Sequence, residues 1–203
     1  QGNTNASPED QALAIMGLML LSADALAQNR CNFPAAAPNG VHRMETGPEC
    51  DAELGRVTLE IDDFGSTGTS SGGGSACFDP VNDVPDEGLV STIFRSQAFL
   101  CRSVGDNAEG SWMGARGARA ESRVEDGEVF SEFTTNGVRV EARYRLNCTV
   151  LEKCYTLTND SGQVMNTVSI THYMDGDLYF GDGGLGNDYG ATNLGAPKTL
   201  WEF

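Results

Sequence analysis

Residues 137–150 hold the pattern that most narrows what this chain can become. Val138, Val140, Ala142, Tyr144, Leu146, Cys148 and Val150 alternate with Arg139, Glu141, Arg143, Arg145, Asn147 and Thr149. A helix cannot use that period of two, because its apolar stripe recurs about every 3.6 residues. The segment reads as a β-strand with one buried and one wet face. Asn136-Gly137, just before it, tolerates positive φ at both central positions of a type I′ turn. Residues 129–135 should therefore fold back on it as a hairpin. Asp126-Gly127 repeats the signal and joins a further strand at about residues 119–125.

Similar reasoning extends the sheet in both directions. Residues 155–158 are a short β-type run, Asn159-Asp-Ser-Gly162 is a turn, and Val168, Ile170, His172 and Met174 alternate with Thr167, Ser169, Thr171 and Tyr173. Four or five consecutive strands are expected as a meander. Val57, Leu59 and Ile61 mark an upstream strand, and residues 89–100 one or two more. One sheet of this size would leave an apolar face in water, so an all-β antiparallel β-sandwich is predicted. Residues 65–75, rich in Gly, Ser and Thr, are expected to be a mobile surface loop. The 25 glycines against 7 prolines agree with a turn-rich β protein.

The run from Tyr155 through Asn159-Asp-Ser-Gly162 to Asp175 resembles the strand, Asn-x-x-Gly turn, strand pattern of immunoglobulin-like modules in bacterial exported and surface proteins. The resemblance spans about residues 155–175 and supports the fold. It implies a spacer, an adhesive unit or a binding platform, and it brings no catalytic motif.

The formal charge of -16 is unevenly placed. Residues 1–110 carry 16 acidic and 5 basic side chains, residues 111–150 carry 6 of each, and residues 151–203 carry 7 and 2. A phosphate backbone or an anionic membrane surface is repelled by such a field, which argues against nucleic acid as a partner. Six cysteines, Cys31, Cys50, Cys77, Cys101, Cys148 and Cys154, show no C-x-x-C spacing and no histidine cluster. Disulfides in an oxidising compartment fit them better than zinc or redox chemistry, and place the protein outside the cell, in a periplasm or at a cell surface. Sequence order suggests Cys31–Cys50, Cys77–Cys101 and Cys148–Cys154 among 15 formal pairings. That last pair carries a conflict: a bridge across a three-residue turn would put Tyr155 and Leu157 on the wet face.

Three stretches follow. Residues 1–27 contain the apolar run Ala12 to Leu21 and an Ala25-x-Ala27 cleavage pattern, as in a signal peptide, although no positive charge precedes them. The same residues also read as a helix with Ser7 as N-cap, Pro8 in its first turn, and Glu9 and Asp10 near its positive end. Neither reading spans a membrane. Residues 28–110 are the acidic, loop-rich, cysteine-bearing part, and residues 111–203 the β meander with an acidic, Gly-rich C-terminal loop.

Candidate chemistry clusters in that last loop. Asp175, Asp177, Asp182, Asn187 and Asp188 offer closely spaced oxygens on a glycine-bent backbone, the ligand type that calcium requires. An acidic turn without metal is the competing explanation. No other motif asks for a cofactor. Asp175 and Asp177, with Tyr173, Tyr179, Tyr189 and Trp201 as stacking platforms, also suit a carbohydrate-binding face or, less simply, the paired carboxylates of a glycoside hydrolase. Gly68-Thr-Ser70-Ser-Gly72 spells a nucleophile elbow without the flanking strand and helix it needs. His172 falls on the apolar parity, as a core histidine would. Asn5, Asn147 and Asn159 begin N-x-Ser/Thr triplets. The leading expectation is a non-catalytic exported β-sandwich module in cell-surface structure, adhesion or assembly, with other copies of itself, surface proteins or glycans as partners. The alternative is a carbohydrate-binding or glycoside-hydrolysing secreted protein.

Overall fold

The computed structural model describes residues 31, 33–68, 73–81, 88–115, 118–176, 190–193 and 199–202. The chain divides into two units, residues 1–30 and 31–203, and every described residue belongs to the second. In chain order its elements are β1 (Val41–Glu45), α1 (Pro48–Leu54), β2 (Arg56–Asp62), β3 (Ala76–Asp79), β4 (Val90–Ser91), β5 (Ile93–Val104) and β6 (Asn107–Trp112). There follow β7 (Ala120–Glu125), β8 (Glu128–Thr135), β9 (Val138–Asn147), β10 (Val150–Asn159), β11 (Thr167–Gly176), β12 (Gly190–Asn193) and β13 (Thr199–Glu202). The strands form antiparallel sheets in the orders β1-β2-β3-β4, β10-β9-β8-β7 and β11-β5-β6, with β12-β13 as a separate hairpin.

The alternation on β9 does what its period predicts. Val138, Val140, Ala142 and Tyr144 enter the core, while Arg139, Glu141, Arg143 and Arg145 stay on the open side. The first three sheets contribute to one cluster, with Met44, Leu59 and Ile61 from one, Ala98 and Leu100 from another, and Val129, Phe133 and Val140 from the third. That shared apolar interior makes the protein an all-β sandwich. Both turns preceding β9 behave as their dipeptides require: Asp126 and Gly127 have φ of 50° and 77°, and Asn136 and Gly137 have φ of 50° and 71°. On the wet face the arginines meet Glu132, Glu141, Asp160, Glu128 and Glu152 at 3.5–3.9 Å. Exposed pairs of this kind contribute only about 0–1 kcal/mol each.

The structure corrects four expectations. The disulfides are Cys31–Cys77 and Cys50–Cys148, with Cα separations of 6.3 and 5.3 Å, and Cys101 and Cys154 are free thiols. β9 ends at Asn147, because Cys148 and Thr149 form a two-residue turn in which Cys148 has φ 50°. That shorter turn resolves the parity conflict: Tyr155 stands opposite Ala142 and Leu157 opposite Val140, both facing inward, while Cys154 stands opposite Arg143 and faces out. Cys148 and Cys154 thus cannot meet. Nor is Cys101 near Cys77, since the two lie on strands of different sheets.

The meander also stops at β10. β11 leaves for the other layer and pairs along its length with β5, Thr167 opposite Ser103 through Met174 opposite Ser96.

The fourth correction concerns residues 65–75. Gly65, Ser66, Thr67, Gly68 and Gly73 are buried. Thr67 exchanges backbone hydrogen bonds with Ser96 of β5 at 3.0 and 2.7 Å, and its hydroxyl donates to the carbonyl of Glu60 at 2.7 Å. Glycine is needed because the backbone folds onto itself: a side chain at Gly73 would strike the Ser66 carbonyl. The described residues of this run, 65–68 and 73–75, are therefore the seam that joins the β2 layer to β5.

Helix α1 had a readable signal, Pro48 in the first turn with Glu49 and Asp51 beside it. Cys50, buried on this helix, ties it to the β9–β10 turn.

Candidate functional site

The face of β11-β5-β6 turned away from the core is set by strand parity. Ala98 and Leu100 of β5 point into the core, so Arg95, Gln97, Phe99 and Cys101 point out. Register places Asp175 beside Arg95, Tyr173 beside Gln97, and Thr171 and Trp112 on either side of Phe99. The rings form a shelf across three strands. Phe99 lies against Trp112 with ring centroids 3.3 Å apart, and Trp112 meets Tyr173 edge-on at 6.2 Å. Tyr173 is 43% exposed, and its hydroxyl donates to Asp175 Oδ2 at 3.1 Å. That bond holds the phenol proton and raises the Tyr173 pKa above its ordinary value.

Polar groups frame the shelf. Thr167, Ser169 and Thr171 line its β11 side, with the Thr167 and Ser103 hydroxyls 2.7 Å apart. Gly110 stands opposite Cys101, and a Cβ there would lie 3.3 Å from the Cys101 sulfur, so the missing side chain leaves the thiol its space. Among the described residues of this face Asp175 is the one carboxylate. A hydrolytic pair would need a second.

A cavity of about 330 Å³ opens elsewhere, between β2, β3 and the β9–β10 hairpin, lined by Val57, Leu59, Ala76, Phe78, Leu146 and Leu151 among others. Two of its three threonine hydroxyls are already committed, Thr67 to the Glu60 carbonyl and Thr92 to the Ala76 carbonyl. Among the described residues no charged group lines it. It can accept apolar volume but has little with which to orient a ligand.

A third cluster lies between the layers. Lys153 Nζ donates to the Gly65 carbonyl at 2.7 Å and to Ser96 Oγ at 3.4 Å, and burial lowers its pKa to about 8. Burial raises the pKa of Asp62, whose Oδ1 accepts from the backbone of Phe64 and Ser66, and lowers that of His172. Tyr144 and Tyr155 pack edge to face at 6.2 Å, neither hydroxyl has a hydrogen-bond partner among the described residues, and burial raises both phenol pKa values. His172 lies on the inner parity of β11, its ring 5.7 Å from Tyr155, at the open margin between the layers. The Lys153 contacts bind the Gly65 turn to both layers, a structural task.

Of the residues singled out in the sequence, Tyr173 and Asp175 come together. Asp177, Tyr179, Asp182, Asn187, Asp188 and Tyr189, with Ser70 of the serine motif and the 1–27 segment, lie outside the described residues. Among the described residues no group of three metal-ligating side chains converges. Phe99 and Trp112 were missed. Their signal was parity: Phe99 lies between the core residues Ala98 and Leu100 and Trp112 beside the core residue Met113, so both turn outward.

Fold and face together define a disulfide-stapled antiparallel sandwich with an open aromatic shelf. No family model, curated protein or solved structure matches the chain. Among the described residues no helix is long and apolar enough to cross a membrane.

Proposed function

We propose that the protein is an exported, non-catalytic binding module of the adhesive kind, which holds a neutral glycan on the outer face of β11-β5-β6. The observation that carries this reading is the Phe99–Trp112–Tyr173 shelf beside Asp175, Arg95 and Gln97. Aromatic faces stack on the apolar C–H surfaces of a sugar ring, and carboxylate, guanidinium and amide groups at the shelf's edge suit pairs of hydroxyls. A net charge of -16 disfavours sulfated or uronic acid chains, which is why the ligand is taken as neutral. The single carboxylate among the described residues of the face favours binding over hydrolysis. Two disulfides support an oxidising compartment outside the cytoplasm.

The test is a panel of neutral and acidic glycans against the folded protein, followed by Trp112→Ala, Tyr173→Ala and Asp175→Asn. Saturable binding to a neutral glycan should weaken at least about tenfold in each variant, a loss of about 1.4 kcal/mol. Tyr173→Ala is the cleaner probe, because that side chain is exposed and its loss leaves the core intact. Binding unchanged in all three variants, or no binding across the panel, rules this face out.

A further inference from the structure

β10 is an outer strand, paired with β9 along one side only. The two-residue turn at Cys148 and Thr149 makes Asn147 and Val150 the first hydrogen-bonded pair of the hairpin. Residues 150, 152, 154, 156 and 158 then direct their N–H and C=O groups at β9. Leu151, Lys153, Tyr155 and Leu157 direct theirs outward, and among the described residues no other backbone group bonds them.

Most of the other outer strands are shorter than β10, and β11, the one as long, ends in a register shift. β7 has 6 residues and carries Glu121, Arg123 and Glu125. β1 and β6 are also short, with 5 and 6 residues. β11 pairs with β5 without interruption from Thr167 to Asp175 and shifts register only at its last residue, Gly176. β10 runs for 10 residues with no proline, glycine or bulge. An edge of that kind is a template for another strand.

The occupant that fits is a second copy of the same edge. If two β10 strands pair antiparallel about a two-fold axis at Cys154, Lys153 meets the partner's Tyr155 and Leu151 meets the partner's Leu157. All of these are outward-directed positions, so the hydrogen-bond ladder closes without a leftover group. Glu152 meets the partner's Thr156, and no like charges oppose. Cys154, exposed and free in a chain whose other thiols include four oxidised ones, then occupies a non-hydrogen-bonded position facing itself. Cα atoms in such pairs lie about 4.5 Å apart, within the range of about 4.4–6.8 Å that a disulfide spans.

We propose that β10 is a homodimerisation edge, closed covalently by a disulfide between the Cys154 residues of two copies. Each copy contributes one thiol. The two are oxidised to one S–S bond, and the two electrons and two protons pass to a small-molecule disulfide, which leaves as two thiols.

The experiment equilibrates the whole chain, with its two internal disulfides formed, in mixtures of oxidised and reduced glutathione, and reads intact mass under non-reducing conditions. A covalent dimer is expected from the parent and from Cys101→Ser, and none from Cys154→Ser. The register is tested at an exposed position. Thr156→Glu places two like-charge pairs across the axis with the partner's Glu152, and Thr156→Lys two opposite-charge pairs. The equilibrium constant for dimer formation should fall in the first and rise in the second, by about two- to thirtyfold. Glutathione-capped monomer as the sole product, a dimer that survives Cys154→Ser, or identical constants for the two Thr156 variants would each overturn the proposal.

Discussion

Lys153 shows how a single side chain can hold a fold together and cost it stability at once. Its ammonium satisfies the Gly65 carbonyl, yet burial has brought its pKa from 10.5 to about 8. Below about pH 8 both folded and unfolded chains carry the proton, and the folded state bears the full desolvation cost, of order 3 kcal/mol. Between about pH 8 and 10 the folded protein releases the proton while the unfolded chain keeps it, so stability rises with pH. Above about pH 10 the sign reverses, because Tyr144 and Tyr155 keep their protons in the fold and lose them when unfolded. Urea midpoints should therefore peak near pH 10, and Lys153→Met should abolish the climb while keeping the later decline. A parent protein whose midpoint stays level from pH 8 to 10 contradicts this account. None of it was readable from the sequence. Lys153 sits at an ordinary strand position, and only the crossing of β10 over the Gly65 turn buries it.

At the scale of elements, legibility depended on whether the partner was local. The β7–β8–β9 hairpins were readable because their turns and alternation lie within one stretch of chain, and β9 held its parity to Tyr144. Pairing of β11 with β5 was not readable, since its residues would suit either neighbour and the choice is made some seventy residues upstream, at Arg95 to Ser103. The glycine run at 65–75 misled for a different reason. Small residues serve loose linkers and tight seams alike, and only the neighbours distinguish them. Substitution separates the two uses. Gly73→Ala drives a methyl into the Ser66 carbonyl and should cost about 3 kcal/mol or more. Gly105→Ala, at a turn with φ 57° and open space around it, should cost only about 1 kcal/mol. Equal denaturation midpoints for the two variants would mean that the seam is looser than its contacts require. The candidate site divided along the same line: Tyr173 and Asp175 were visible as neighbours in sequence, whereas Phe99 and Trp112 joined them only through the sheet.

For the molecule as a whole, the two disulfides close loops of 46 and 98 residues. Loop-closure entropy assigns them about 4 and 5 kcal/mol. Removing Cys50–Cys148 as Cys50→Ala/Cys148→Asn should therefore lower the unfolding free energy at least as much as Cys31→Ala/Cys77→Ala. Asparagine is chosen because position 148 has φ 50°. A larger loss from the shorter loop would show that contacts around Cys31, and not chain entropy, set the ranking. The two loops also overlap without nesting, since Cys50 lies inside the first and Cys148 beyond it. A chain emerging from its N-terminal end presents Cys31 and Cys50 to an oxidant together, long before either native partner arrives. Their quickest bond is a wrong one. Reaching the native pattern then requires that bond to be exchanged once Cys77 and Cys148 are available, so oxidative refolding of the reduced chain should be faster and more complete with a thiol–disulfide exchange catalyst than with an oxidant alone.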